Sequence, residues 1–177
     1  ASPRERFDLF LPDVTAKGHI VAGATAEVGR VGVGVAVKAD AKAPDIATPE
    51  AFKATRLAAK SIVMIDPATG TSGKHLAKVF ADLGIADALK DKTRYLQGGY
   101  VVEPVGRGEI EIGLHQITEI LPVPGVKLVG PLPGPLQKVT VYVAAQGSSA
   151  PHGDAAKAFL AMLDAQPCDV VLLDLGL

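Results

Sequence analysis

Two short stretches hold residue types able to bind a small charged molecule. Gly70-Thr71-Ser72-Gly73-Lys74 lies between the apolar run Ser61–Asp66 and a helical pattern, where phosphate-binding loops occur. The Walker pattern, however, needs glycine where Ala68 stands and serine or threonine where His75 stands. A nucleophile elbow around Ser72 fails too, because Lys74 holds the place of its second glycine. What remains is a strand, a loop of small hydroxyl residues and a helix start, whose free N–H groups and positive dipole end attract an anion or a carboxylate. An ordinary N-cap in which Ser72 satisfies the helix is the alternative. Gly98-Gly99-Tyr100 repeats the theme as a glycine loop opening a helix, with a simple tight turn as its alternative.

Other chemistry is harder to assemble. Gly32 and Gly34 begin a dinucleotide fingerprint, but its third glycine would fall at Val37 and the pattern lies inside a strand. The four histidines, His19, His75, His115 and His152, show no metal-ligand spacing, and the single Cys168 rules out an intramolecular disulfide or a cysteine cluster. No metal, cofactor or complete catalytic set is assigned. His115 or Glu119 acting as acid or base on a bound substrate is the enzyme alternative.

The elements that must position these loops follow from length and patterning. A chain of 177 residues can bury roughly 70% of its unfolded surface, and 48% hydrophobic with 21% charged residues is the composition of a globular protein. With 18 basic against 19 acidic residues there is no electrostatic footprint for nucleic acid, and no apolar run reaches the roughly 20 residues of a membrane span. Phe7–Leu11, closed by Pro12, reads as a strand, as do Val31–Lys38, Ser61–Asp66, Glu111–Gln116, Val126–Val129 and Val139–Ala144. Thr48-Pro49-Glu50 starts a helix running to about Lys60. Leu76, Val79, Phe80 and Leu83 fall at i, i+3, i+4 and i+7 of another, which Gly84 ends. Further helices are expected over 86–92, from Gly98 to about Gly108, and after Asp154 as cap, with Ala156, Phe159, Leu160 and Leu163 on one face. Strands alternating with helices predict an α/β fold with a mostly parallel sheet.

Taken in order, Asp66-Pro-Ala-Thr-Gly-Thr-Ser-Gly73, Gly98-Gly-Tyr100, Gly106-Arg-Gly-Glu-Ile-Glu-Ile-Gly-Leu-His-Gln116 and Val129-Gly-Pro-Leu-Pro133 resemble the molybdate-binding-protein-like branch of the type II periplasmic solute-binding proteins. The likeness runs from Phe7 to about Ala165. It implies a type II periplasmic-binding-protein-like α/β fold of two lobes joined by crossing hinge strands, with a ligand held in the interlobe cleft. Residues 1–37 would be a remnant of lobe one with the first hinge strand, 38–138 lobe two, and 139–177 the return hinge strand with the C-terminal part of lobe one.

The same resemblance implies capture of a small anion, an oxyanion or an organic carboxylate, in the periplasm for the membrane permease of an ABC importer, without catalysis. The ligand-binding residues it marks are Thr71, Ser72, Gly73, Gly98, Gly99, Tyr100 and Gln116. Ser72 and Gly98 stand where the molybdate binders offer backbone amides, and Gln116 where they place a tyrosine. Family members carry a further N-terminal portion, so the first lobe is expected to be incomplete, and self-association through it follows as an expectation. The ending Cys168–Leu177 also departs from the family's polar helical tail and reads as strand-like or irregular. An enzyme using the same cleft, or the effector-binding domain of a regulator, are the competing functions.

Overall fold

The computed structural model describes residues 11–165, and the expected strand residues 7–10 and the tail 168–177 lie outside them. The chain divides into two units, one of residues 1–30 with 140–177 and the other of residues 31–139.

In the first unit, Leu11–Ala16 forms a helix, α1, so Leu11 and Pro12 open a helix where the sequence suggested the end of a strand. The strand β1, Ile20–Lys38, starts here and is much longer than the Val31–Lys38 segment that its valine alternation marks. It pairs with β6, Val139–Gly147. The helix α7, Gly153–Ala165, buries Leu160 but leaves Phe159 and Met162 about half exposed. Asp154 sits inside its first turn, not at the cap.

The second unit is built on five strands in the order β3-β2-β4-β1-β5. These are β2, Ile62–Ile65; β3, Thr93–Leu96; β4, Ile112–Gln116; β5, Val126–Pro131; and the second half of β1. β2 runs parallel to both β3 and β4, while β1 is antiparallel to β4 and β5. The sheet is therefore mixed, where strand–helix alternation predicted a mostly parallel one.

Side-chain alternation gives this sheet two buried faces. Ile62 and Met64 of β2, Ile112 and Leu114 of β4, and Val33, Val35 and Val37 of β1 pack with Phe52 of α2, Pro49–Ala58, and Leu76, Val79 and Phe80 of α3, Thr71–Asp82. Val63 and Ala36 point the other way, against Val101, Val102 and Val105. The start of α2 follows its sequence signal: Thr48 Oγ1 accepts from Ala51 N at 3.1 Å, with Pro49 at the first helical position. The helix expected over 86–92 is α4, Ala86–Leu89, continued by a 3₁₀ turn over Lys90–Lys92. The one expected from Gly98 shrinks to α5, Glu103–Gly106, with Pro104 in its first turn where a missing N–H costs nothing.

Two features of this frame carry no sequence signal. Gln137 lays its side-chain amide along β1 like an extra strand residue: Oε1 accepts from Val33 N and Nε2 donates to Val33 O, both at 2.9 Å. A Cβ on Gly32 would stand 2.9 Å from that amide nitrogen, so the glycine makes room for the clasp. Arg56 on α2 is fully buried, stacked 4.9 Å from the Phe52 ring centroid, and none of its three side-chain nitrogens has a hydrogen-bond partner among the described residues. Burial pulls its guanidinium down to about 9, opposed by the attraction of Glu111, and it stays charged at neutral pH.

An uncompensated buried cation costs more than its stacking returns. Replacing Arg56 by Met should therefore leave stability unchanged or raise it, by up to about 4 kcal/mol. Because the folded state disfavours the protonated guanidinium, the variant's advantage should shrink as pH rises past about 9. Urea unfolding at about pH 7 and pH 10 measures both effects, and a variant clearly less stable at pH 7 would contradict them.

Candidate functional site

The parallel strands β3, β2 and β4 lie side by side, so their carboxyl ends share one edge of the sheet. The chain leaves that edge at Asp66 after β2, at Gln97 after β3 and at Gln116 after β4. The connection after β2 runs to α3 on one face, whereas the connection after β3 runs to Val101–Val105 on the other. Neighbouring strands whose exits diverge to opposite faces open a crevice between them, the place where α/β sheets bind ligands. All seven sequence-marked residues belong to the segments leaving this edge.

Asp66 shapes the first exit. Its carboxylate accepts from Ala68 N and from Gln97 Nε2, each at 2.8 Å, and its carbonyl accepts from Thr69 N and Gly70 N at 3.0 and 2.9 Å. Its own N–H donates to Leu96 O at 2.8 Å, and Thr69 Oγ1 reaches Gln97 O at 3.5 Å, so the exits of β2 and β3 are bonded to each other. Neither Asp66 nor Gln97 carried a sequence signal for this role, since the tie joins positions 31 apart through a strand, β3, that charge-rich flanks conceal.

The helix α3 then begins with Gly70 as its N-cap, which offers no side-chain bond, and its first turn contains no acidic residue. Ser72 lies within the helix, buried, and is not its cap. The first intrahelical donor is Lys74 N, to Gly70 O at 3.0 Å, leaving the N–H groups of Thr71, Ser72 and Gly73 without an acceptor among the described residues. At the second exit, Gly99 takes a left-handed φ of +72° and its carbonyl accepts from Val101 N at 2.9 Å. Gly98, Gly99 and Tyr100 therefore form a turn and not a helix start, so they offer loop amides without a helix dipole. The Tyr100 ring is about half exposed.

Gln116 ends β4, buried, and its N–H donates to His115 Nδ1 at 2.7 Å. His115 is also buried, its Nε2 has no partner among the described residues, and burial lowers its pKa to about 4. Glu119 lies in α6, Ile117–Ile120, directly after Gln116. His75, on α3, bonds Leu136 O at 2.8 Å through Nε2, a packing contact. Among the described residues no group of His, Cys, Asp or Glu is placed to hold a metal ion.

Gly73 presses α3 flush onto the end of β2: a Cβ there would stand 2.3 Å from Ile65 O and 2.9 Å from Asp66 O. In a free helix Gly→Ala stabilises by roughly 0.5–1 kcal/mol. Here the sign should reverse, with Gly73→Ala costing about 1–3 kcal/mol because backbone must move. Thermal unfolding decides between the two signs.

Comparison with known proteins agrees with this architecture. The model of a bacterial extracellular solute-binding protein family matches residues 5–172. An aconitate isomerase from a Pseudomonas species is 32% identical over 168 residues, covering 94% of this chain and 63% of that protein. Among solved structures, a substrate-binding domain from Clostridium difficile assigned to a molybdenum ABC transporter aligns with a TM-score of 0.72 at 17% identity, over 88% of this chain and 66% of that one. The periplasmic molybdate-binding protein of Azotobacter vinelandii aligns with a TM-score of 0.65 at 15% identity, over 88% and 68%. At such identities these two show a shared fold, and the chain spans about two thirds of the length of each relative. With the family model covering nearly all of it, the chain belongs to the bacterial extracellular solute-binding proteins.

Proposed function

We propose that this chain captures a small organic acid outside the cytoplasm, in the periplasm, and delivers it to the permease of an ABC importer. In this reading a carboxylate of the solute accepts from the free amides of Thr71, Ser72 and Gly73, with the amides of Gly98–Tyr100 and the side chain of Gln116 completing the polar shell. Residues 38–138 would act as the second lobe, with 1–37 and 139–177 belonging to the first. The observation that carries the reading is the first turn of α3, buried at Ser72 and Gly73 yet uncapped and free of acidic side chains. Such an end binds an anion through dipole and N–H groups together.

An organic carboxylate is favoured over an oxyanion on two grounds. The 32% identical relative bears the name of an aconitate enzyme, whereas the molybdate relatives share only 15–17% of residues. An amide at Gln116 can also both donate and accept, which suits an acid carrying mixed polar groups. The same relative supports a second reading, in which the bound acid is isomerised by proton transfer at His115 or Glu119.

Calorimetric titration with aconitate, citrate, succinate, molybdate and sulfate tests the first reading. Thr71→Pro is the informative variant, since it deletes one N–H at the first helical position while Gly70 already has the extended backbone that a following proline requires. Loss of one bond to a charged group, about 1.5–3 kcal/mol, should weaken carboxylate binding roughly 10- to 150-fold with the fold unchanged. Absence of binding to every anion in the panel would overturn the reading. Conversion of cis- to trans-aconitate by the purified chain, lost in His115→Ala, would establish the second.

A further inference from the structure

The ladder between β4 and β2 ends at the pair Met64 and Leu114, because β2 turns away at Asp66-Pro67. β4 continues two residues further along β1, with His115 opposite Gly34 and Gln116 opposite Val33. The N–H and carbonyl of Val33 are engaged by Gln137 and by Leu132 N, on the side away from β4. The pair Val33 and Gln116 therefore exchanges no backbone bond, and the Gln116 N–H faces the side that β2 has vacated. A buried N–H in that position needs another acceptor. The acceptor it meets is His115 Nδ1, at 2.7 Å.

An Nδ1 that accepts a hydrogen bond has its lone pair in use, so the ring's single proton is on Nε2. That nitrogen is enclosed and has no acceptor among the described residues, and the residue paired with His115 across the ladder, Gly34, has no side chain to offer one. We propose that His115 is a positioning residue: its neutral imidazole, protonated at Nε2, stands in for the missing strand and fixes Gln116 and the turn into α6, instead of transferring protons to a substrate. The functional part of this inference rests on the proposed role of Gln116 in ligand binding, while the structural part stands without it.

The test separates the two. Nitrogen-15 NMR of the ligand-free protein at neutral pH should show Nδ1 as the unprotonated, accepting nitrogen, and the Gln116 amide should exchange slowly with solvent. His115→Leu removes the acceptor and should speed that exchange at least about tenfold, whereas His115→Asn keeps an acceptor at the same place and should restore it. With citrate as probe, His115→Leu should weaken binding about tenfold and His115→Asn should stay close to the parent. If the parent binds neither citrate nor any other anion of the panel, the proposed function fails, yet the exchange data still decide the positioning role. An imidazole protonated at Nδ1, or Gln116 exchange unchanged in His115→Leu, would overturn it. So would an aconitate turnover abolished in both variants, since a proton-transfer role is lost with either side chain.

Discussion

How β2 ends determines what the carboxyl edge of the second unit's parallel strands can do. Asp66 accepts five hydrogen bonds from backbone and side-chain donors in its own turn and on Gln97, while its N–H binds the end of β3. A carboxylate that accepts from two fixed N–H donors is held in one place, and it holds those donors in return. The consequence is an unusual division of labour. The acid that would ordinarily sit in the first turn of α3 lies one turn earlier and is spent on organising the loop. The amides of Thr71–Gly73 are thereby left free, in a segment whose position is nonetheless determined.

Close packing reinforces the same arrangement. Gly73 lets α3 touch the backbone of Ile65 and Asp66, so the free amides cannot slide away from the strand end. Further back, Gly32 admits the Gln137 amide to β1 and extends the ladder beyond the end of β5. Both glycines serve by lacking a side chain, and both stand where main chain or an amide must approach within van der Waals distance. Neither is required for its backbone angles, since neither adopts a left-handed φ.

Much of the frame was legible in the residues. The Thr48-Pro49 cap, the i, i+3, i+4, i+7 stripe of α3 and the apolar runs of β2, β4, β5 and β6 are local signals, and each produced the element it marked. What stayed hidden depends on contacts between distant positions. β3 is four residues on the sheet edge with Arg94 and Tyr95 exposed, so neither alternation nor a hydrophobic run reveals it. Without β3, the bond from Gln97 to Asp66 has no meaning, and Gly98-Gly99 looks like the start of a longer helix. The Gln137 clasp spans 104 positions, and Arg56 reads as an ordinary exposed helix residue until α2 is docked. The candidate site was thus visible as a set of residue types, whereas the device that holds it open was not.

The polar groups at this edge also bear on catalysis. In the proposed site, Thr71–Gly73 and Gly98–Tyr100 would contribute backbone amides, which cannot exchange a proton with substrate at neutral pH, and Gln116 a side chain that never titrates in water. The imidazole next to Gln116 is enclosed, has Nδ1 engaged by a neighbouring N–H, and is kept neutral by burial. General acid–base catalysis needs a group whose pKa lies near the working pH and whose proton can reach the substrate. His115, drawn down to about 4, is a poor match on both counts. Donors that cannot titrate bind an anion reversibly over a wide pH range, which is the demand that capture and release of a solute makes on its site.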